Sequence, residues 1–304
     1  MSELALPAGR RLLGASGIET SALAWGMWRS AGDGLDAKRL SRLVHSALDA
    51  GIDLHDTADI YGFDGHGGFG DAETLLGEVL RAEPGLRRRI VLATKGGIVP
   101  PLPYDQSRAY MERALDASLA RLAVDQIDLY QIHRPDILTH PQELARFLED
   151  AHAAGKIRAL GVSNFTIHQI ETLGRLLDTP LAATQPEISP LRIEPFDNGE
   201  LDQAIRLDLA PLAWSPLGGG RVMQPQTARE RAVADALDAA AAQAGVSRAV
   251  AAYGWLLAHP ARIVPIVGSQ QSERIAEATK ALTMRWTRQA WYAVFAAARG
   301  EPLP

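Results

Sequence analysis

The feature that most constrains the fold of this 304-residue chain is a regular alternation of short apolar runs with longer segments of helical spacing. The runs are apolar over most of their length, which is typical of strands buried on both faces of a parallel sheet. Strand–helix alternation of this kind favours such a sheet, with helices between the strands. The eight candidate strands are residues 21–25, 52–55, 89–94, 127–132, 157–162, 181–184, 209–214 and 263–267.

Eight strand–helix units in a chain of this length indicate an α/β fold, a closed (β/α)8 TIM barrel, rather than an open sheet. A turn at residues 14–17 predicts an N-terminal β-hairpin, and residues 287–299 predict a C-terminal helical extension. No linker or block of charge divides the chain, so we expect a single domain over residues 1–304. The other helical segments are 36–50, 71–81, 107–121, 141–154, 167–176, 228–244, 248–259 and 273–282.

Composition excludes several classes of protein. The net charge of −5 and the pI of about 5.9 do not suit a nucleic-acid-binding face. The chain has no cysteine, which excludes disulfides, thiolate metal sites and cysteine nucleophiles. The longest apolar stretches are too short for a membrane helix, and residues 1–13 lack the apolar core of a signal peptide. We therefore expect a cytoplasmic protein with no nucleic-acid or membrane partner. The sequence leaves the oligomeric state open, and a monomer is the default expectation.

Polar residues near the ends of three consecutive strands indicate an active site, because active sites of TIM barrels lie at the carboxyl ends of the strands. Lys95 ends an apolar strand and needs a carboxylate, for which Asp56 on the preceding strand is the natural candidate. Tyr61 follows Asp56, and His133 ends the next strand. Considered singly, Lys95 and Asp56 could form a structural ion pair, Tyr61 could serve packing and His133 could be a core histidine. Their joint occurrence favours catalysis.

Motifs along nearly the whole chain resemble those of the aldo-keto reductases. The segment DLHDTADIYG at 53–62 resembles the Asp-x-Ala-x-x-Tyr-Gly motif of that family. The others follow in the family's order: LATKGG at 92–97, LYQIHRPD at 129–136, GVSNF at 161–165, LAWSPLGGG at 212–220 and IVGSQQSERI at 266–275. The resemblance implies a barrel whose N-terminal hairpin closes the bottom, and a nicotinamide cofactor bound without a Rossmann domain.

The resemblance also implies a role for each of the four residues. Tyr61 would donate a proton to a substrate carbonyl while hydride reaches the carbon, which reduces an aldehyde or ketone to an alcohol. Lys95, paired with Asp56, would lower the pKa of Tyr61 toward neutral pH, where proton transfer is efficient. His133 would donate a hydrogen bond to the carbonyl oxygen and orient it.

The resemblance further implies that the cofactor is NADPH, or NADP+ when oxidised, with NADH less favoured. Trp214 stands where the family usually has a tyrosine that stacks on the nicotinamide, and Arg274 matches a residue that holds the adenosine 2′-phosphate. Two departures weaken the preference for NADPH: Gly268 replaces a common lysine, and Ala278 replaces a common asparagine. The resemblance implies that Ser163, Asn164 and Gln185 hydrogen-bond the nicotinamide carboxamide, and that Ser269 lies with Arg274 at the 2′-phosphate. It implies that the backbone of a turn wraps the pyrophosphate, at Ser215, Leu217, Gly218 and Gly220. The other implied cofactor contacts are Gly26, Met27, Trp214, Pro216 and Gly268.

Other interpretations stay open. The segment GHGGFG at 65–70 has the Gly-x-Gly-x-x-Gly spacing, but no strand runs into it, so we interpret it as a loop beside the substrate mouth. A regulatory subunit that binds cofactor, resembling ion-channel β-subunits, could keep all four catalytic residues. A metal-dependent hydrolase would need ligands from His55, Asp56, His133 and Asp136. Because adjacent strand residues face opposite ways, we expect no metal site.

The substrate pocket is expected to have apolar walls, which indicates aldehydes or ketones with an aromatic or aliphatic body. The fold does not choose among them. The expected walls are Met27, Trp28, His66, Phe69, Trp214 and the loop after Tyr104.

Overall fold

A computed structural model describes residues 3–5, 9–30, 36–301 and 303. Strands β1 (Arg10–Leu12) and β2 (Glu19–Ser21) form an antiparallel hairpin. Eight parallel strands then form a closed barrel, in which the last strand pairs with the first. They are β3 (Ala24–Gly26), β4 (Leu54–Asp56), β5 (Val91–Gly96), β6 (Ile127–Ile132), β7 (Ile157–Ser163), β8 (Leu181–Gln185), β9 (Ala210–Ala213) and β10 (Val264–Val267).

The predicted TIM barrel, with its N-terminal hairpin and C-terminal helix, is confirmed. Helices surround the barrel: α1 (Ala37–Asp49), α2 (Asp71–Ala82), α3 (Arg108–Leu122), α4 (Pro141–Ala153), α5 (Ile167–Gly174), α6 (Glu200–Arg206), α7 (Ala228–Ala244), α8 (Arg248–Leu257), α9 (Ser272–Ala278) and α10 (Arg288–Arg299).

Helix α6 was not predicted, and its short length explains why. Its N-cap is Gly199, a left-handed residue that offers no side-chain cap, and the helix has only seven residues. Helix α7 shows the opposite case, since Thr227 and Glu230 form a reciprocal capping box at its start. A sequence pattern therefore reveals α7 but not α6. The segment predicted as one helix over 273–282 is α9 followed by a 3-10 turn over Thr279–Leu282.

The hairpin closes the bottom of the barrel. Leu13 and Ile18, on either side of its turn, are buried in one apolar cluster with the inward-facing strand residues Leu54, Ala93 and Leu129. The barrel therefore has a packed interior, and its open end is the face where the strands finish. Among the described residues, no helix is long and apolar enough to cross a membrane.

Strand register brings the predicted catalytic residues to that open end. Asp56 pairs with Ala93 two residues before Lys95, and Lys95 pairs with Gln131 on the next strand. His55 faces away from Asp56, since its ring contacts Trp25 edge-on with centroids 5.4 Å apart. Its Nε2 lies 3.2 Å from the carbonyl oxygen of Ile52. This orientation separates His55 from the other three residues considered as metal ligands.

Candidate active site

Lys95 is the centre of the polar cluster at the open end of the barrel. Its side chain is fully buried, and its ammonium donates three hydrogen bonds. The acceptors are Asp56 Oδ2 at 2.7 Å, the Thr57 carbonyl oxygen at 2.8 Å and the Tyr61 hydroxyl at 3.1 Å. An ammonium has three hydrogens, so its donors are all used. The predicted pairing of Lys95 with Asp56 is thus present, and the same ammonium also holds Tyr61.

Both carboxylate oxygens of Asp56 have partners. Oδ2 accepts from Lys95, while Oδ1 accepts from the side-chain amides of Gln185 at 3.0 Å and Gln131 at 3.3 Å. The Gln185 amide nitrogen also donates to Gln131 Oε1 at 3.3 Å. These contacts fix the carboxylate, which in turn fixes Lys95 at the buried end of the site.

Lys95 and Tyr61 act on each other's proton affinity. Burial opposes the charge of Lys95, but Asp56 and Tyr61 outweigh it, so the pKa of Lys95 is raised and the ammonium stays charged. Burial raises the pKa of Tyr61, and the nearby Lys95 charge only partly offsets it. The expected lowering of the Tyr61 pKa toward neutral pH is therefore wrong in its net direction. The desolvation of a phenolate outweighs the attraction of one ammonium here.

His133 lies beside Tyr61. The two rings meet edge-on, with centroids 5.8 Å apart, and His133 Nδ1 is buried without a hydrogen-bond partner among the described residues. Burial, helped by the positive charges of Lys95 and Arg134, holds the pKa of His133 well below its ordinary value. His133 is therefore a neutral imidazole at neutral pH, with one N–H to donate and one nitrogen to accept.

Next to this cluster, Asn164 fixes the orientation of Trp214. Its Oδ1 accepts from the indole Nε1 at 3.0 Å, and its Nδ2 donates to the His133 carbonyl oxygen at 3.2 Å and to Ser163 Oγ at 2.8 Å. Ser163 Oγ donates onward to the Gln185 carbonyl oxygen at 2.8 Å. The four predicted nicotinamide contacts thus form one connected set beside His133.

The predicted phosphate-binding segment after β9 is a tight turn. Ser215 has a positive φ of 49°, and the N–H of Gly218 donates to its carbonyl oxygen at 2.7 Å. The N–H of Gly220 donates to the carbonyl oxygen of Leu217 at 3.0 Å, and Pro216 is buried within the turn. These two N–H groups are already used within the turn.

The end of β10 carries the predicted 2′-phosphate residues. The Ser269 carbonyl oxygen accepts from Trp25 Nε1 at 2.9 Å, and Arg274 is exposed near the start of α9. At Gly268, where the family commonly has lysine, the carbonyl oxygen accepts a long hydrogen bond of 3.4 Å from Arg29 Nη1. Two exposed guanidinium groups, those of Arg29 and Arg274, are therefore available to bind the 2′-phosphate expected here.

Comparison with known proteins assigns the architecture. A sequence model of the aldo/keto reductase family matches residues 22–298. The chain belongs to this family. It is therefore an oxidoreductase, and the expected aldo-keto reductase resemblance is confirmed.

Two relatives share a more specific name. A 6-dehydroglucose reductase of Novosphingobium aromaticivorans is 67% identical over 304 residues, which is 100% of both chains. A 6-dehydroglucose reductase of Agrobacterium fabrum is 36% identical over 295 residues, covering 93% of this chain and 96% of that one. The crystal structure of a thermostable aldo-keto reductase with the inhibitor epalrestat matches with a TM-score of 0.82 at 24% identity, covering 95% of this chain and 99% of the other. That likeness supports the fold.

The mouth of this aldo-keto reductase differs in part from the expected pocket. Met27 is fully buried among core residues, so its side chain does not form a wall of the open mouth. Trp28, by contrast, is 65% exposed, and Phe69 and Tyr104 are also exposed. Gly26 precedes Met27 at the end of β3, where a Cβ would lie 2.6 Å from Ile266 Cγ2, so close strand packing requires glycine.

The glycine-rich segment at 65–70 is a loop between β4 and α2, as interpreted from the sequence. Asp64 Oδ1 accepts from the backbone N–H groups of His66 at 2.8 Å and Gly67 at 2.9 Å. Gly70, in the left-handed region at φ 89°, begins α2. No strand feeds this turn, which distinguishes it from a dinucleotide-binding fingerprint.

Three residues of the site were given no role when the sequence was interpreted: Gln131, Thr57 and Arg134. Gln131 and the Thr57 carbonyl hold the Asp56–Lys95 pair, and Arg134 lies with its guanidinium carbon 6.0 Å from the Trp214 ring centroid. A polar glutamine inside the apolar strand at 127–132 was the available signal for Gln131. Asp136 instead holds its own loop by accepting from Leu138 N at 2.9 Å and Thr139 Oγ1 at 2.7 Å.

Proposed function

We propose that this aldo-keto reductase uses NADPH to reduce the C6 aldehyde of 6-dehydroglucose to the primary alcohol of glucose, with Tyr61 as the proton donor. The observation that carries the proposal is the ammonium of Lys95, which contacts both Asp56 Oδ2 and the Tyr61 hydroxyl. The substrate comes from the name shared by the relatives at 67% and 36% identity.

The direction of the Lys95–Tyr61 hydrogen bond supports a proton donor. Because Lys95 donates to the Tyr61 oxygen, the hydroxyl hydrogen of Tyr61 is free to point toward a substrate. The raised pKa of Tyr61 keeps that proton in place at neutral pH. As the proton leaves, the ammonium would stabilise the phenolate that forms, which is electrostatic support aimed at a developing charge.

His133 would position the carbonyl. A neutral imidazole can donate its single N–H to the carbonyl oxygen, while an imidazolium would compete with Tyr61 as an acid. The depressed pKa of His133 therefore suits a positioning role and leaves proton donation to Tyr61.

Several residues suit a nicotinamide dinucleotide, which when bound supplies the hydride. The indole of Trp214 is fixed by Asn164 and offers a large face for stacking. With both amide hydrogens of Gln185 used, its Oε1 remains to accept a hydrogen bond. A Cβ at Gly219 or Gly220 would meet no neighbouring atom, so the backbone there is open to close approach. The exposed guanidinium of Arg274 suits the 2′-phosphate of NADPH.

The experiment that tests this function uses NADPH carrying deuterium in the transferred position. We expect one NADPH to be consumed per glucose formed, with deuterium at C6 of glucose by NMR. Deuterium at C1, or turnover of simple aldehydes with none of 6-dehydroglucose, would overturn the proposed substrate. Tight NADPH binding without turnover of any carbonyl would instead favour the regulatory-subunit interpretation.

We also propose that the protein acts as a cytoplasmic monomer. The absence of cysteine suits a reducing compartment. Light scattering of the purified protein at micromolar concentration should give the mass of a single 32.7 kDa chain, and a dimer mass would contradict this.

A further inference from the structure

A cavity of about 110 Å³ lies at the bottom of the barrel, at the end opposite the active site. It is bounded by the N-terminal hairpin on one side and by the segments that enter β9 and β10 on the other. Its charged lining residues are Arg11, Asp208 and Arg262.

Arg11 is the unusual residue of this cavity. The residue is buried, with only 7% of its surface exposed, and its Nε and Nη1 have no hydrogen-bond partner among the described residues. The charge that acts on it most is another cation, Arg262. Asp208 lines the same cavity but forms no ion pair with Arg11 among the described residues.

The fold holds Arg11 in this place. Alternation along β1 exposes Arg10 and Leu12 and turns Arg11 inward, while its backbone pairs with Thr20 on β2. The hairpin turn is pressed against the barrel, because a Cβ at Gly14 would overlap the carbonyl oxygens of Ala182 and Asp208. These contacts hold the hairpin, and with it the backbone of Arg11, against the bottom of the barrel.

Such an arrangement is unfavourable for the protein alone. A guanidinium that loses water needs hydrogen-bond acceptors in exchange, and each missing acceptor destabilises the folded state. Burial and the charge of Arg262 lower the pKa of Arg11 to about 10, so it still carries its charge at neutral pH. An anion in the cavity would offset the charge of this guanidinium.

We propose that the cavity between the hairpin and the starts of β9 and β10 is a binding site for a small oxyanion, such as inorganic phosphate or a terminal phosphoryl group. The guanidinium of Arg11 attracts the oxyanion from the buried side of the cavity, and Arg262, a second lining residue that is exposed, adds positive charge at the rim. The site is separate from the catalytic one and does not depend on the proposed substrate. Because its floor is the hairpin, an occupied site ties the hairpin to the barrel and stabilises the fold.

The test is thermal unfolding with inorganic phosphate as the probe. Saturating NADPH is present throughout, so that phosphate does not act by filling the cofactor's own phosphate sites, and sodium chloride maintains constant ionic strength. We expect phosphate to raise the Tm of the wild type by about 2–4 °C at concentrations far above its Kd. Arg11→Met should abolish this rise, whereas Arg88→Gln, a control at an exposed arginine, should keep it.

Arg262→Gln is a second variant, which removes only the charge at the exposed rim and spares the buried Arg11. Isothermal titration should show its Kd for phosphate raised several-fold above that of the wild type. A wild type that responds to phosphate no more than to chloride would overturn the proposal. An Arg11→Met variant with the wild-type response, or an Arg262→Gln variant with the wild-type Kd, would also overturn it.

A further arm of the titration distinguishes the source of the oxyanion. Glycerol 3-phosphate carries the same phosphoryl group on an organic body. If it binds like inorganic phosphate and loses binding in Arg11→Met, the cavity accepts a phosphate ester through its mouth. If only inorganic phosphate binds, the cavity holds a free ion; binding of neither overturns the site.

Discussion

Two buried cations lie at opposite ends of this barrel, and they differ in what surrounds them. At the top, the ammonium of Lys95 has an acceptor for each of its hydrogens, one of them the carboxylate of Asp56. At the bottom, the guanidinium of Arg11 has two buried nitrogens with no acceptor. Burial disfavours the charged form of both side chains. At Lys95 the hydrogen-bond partners compensate for the lost hydration. The paired cation acts within the protein, on Tyr61, and the unpaired one is left to act on a ligand.

The largest effect expected at the top comes from the proton donor itself. Tyr61→Phe removes one oxygen and should lower kcat/KM for carbonyl reduction by about 10²–10⁴-fold, the usual contribution of a general acid. The Kd for NADPH, measured by quenching of tryptophan fluorescence, should stay within about twofold of wild type because the cofactor contacts are elsewhere. A variant that retains most of the wild-type rate would show that the proton comes from another group.

The next largest effect concerns stability at the same end. Lys95→Met leaves the buried carboxylate of Asp56 without its cation, and should lower the free energy of unfolding by about 3–5 kcal/mol. Urea unfolding monitored by circular dichroism gives this value. An unchanged free energy of unfolding would mean that the pair contributes nothing to the fold and that the contrast with Arg11 is false.

Cofactor selectivity should show an intermediate effect. Arg274→Ala removes a guanidinium that we expect to contact the 2′-phosphate, so the Kd for NADPH should rise by about 10–100-fold, the range of charge-assisted hydrogen bonds. The Kd for NADH, which lacks that phosphate, should not change. The neighbouring exposed Glu273→Gln is the control, and equal losses for both dinucleotides would remove Arg274 from the 2′-phosphate site.

The same chemical change at the bottom should have a small effect of the opposite sign. In phosphate-free buffer, Arg11→Met replaces an unpaired buried charge with an apolar side chain, and should leave the free energy of unfolding unchanged or raise it by about 1 kcal/mol. Urea unfolding of Arg11→Met and Lys95→Met in the same buffer compares the changes in free energy of unfolding at the two ends of the barrel. A loss as large as that of Lys95→Met would mean that Arg11 has acceptors within the folded chain.

The smallest expected effect is that of pH on the reduction rate. Burial raises the pKa of Tyr61 above its ordinary value of about 10, so the donor stays protonated from neutral to mildly alkaline pH. The kcat for reduction should therefore change by less than about twofold between pH 7 and pH 9, and fall only as the pH rises through the pKa of Tyr61. A steep loss of rate already between pH 7 and pH 9 would show that the pKa is lowered instead.

Much of the top of the barrel could be predicted from the sequence because it depends on local patterns. Apolar runs located the strands to within a few residues, and a lysine at the end of one run required a carboxylate on the preceding strand. Asp56 and Lys95 are accordingly paired. Helix α6 was missed because seven residues are too few to show a helical period, and the burial of Met27 depends on packing that one segment does not show.

The net pKa direction of Tyr61 and the environment of Arg11 depend on distances between remote parts of the chain. The expectation for Tyr61 counted the attraction of Lys95 and left out desolvation, which is the larger influence. Arg11 lies in a short polar segment that reads as a surface strand. Only the position of the hairpin beneath the barrel shows that its side chain is enclosed.

The most direct test of the central claim is steady-state turnover of 6-dehydroglucose by the wild type with NADPH, with Tyr61→Phe measured in parallel. The account predicts that the wild type forms glucose at one molecule per NADPH consumed, and that Tyr61→Phe binds NADPH normally but forms almost none. Equal rates of glucose formation by the two proteins, or NADPH binding by the wild type without any glucose, would contradict it.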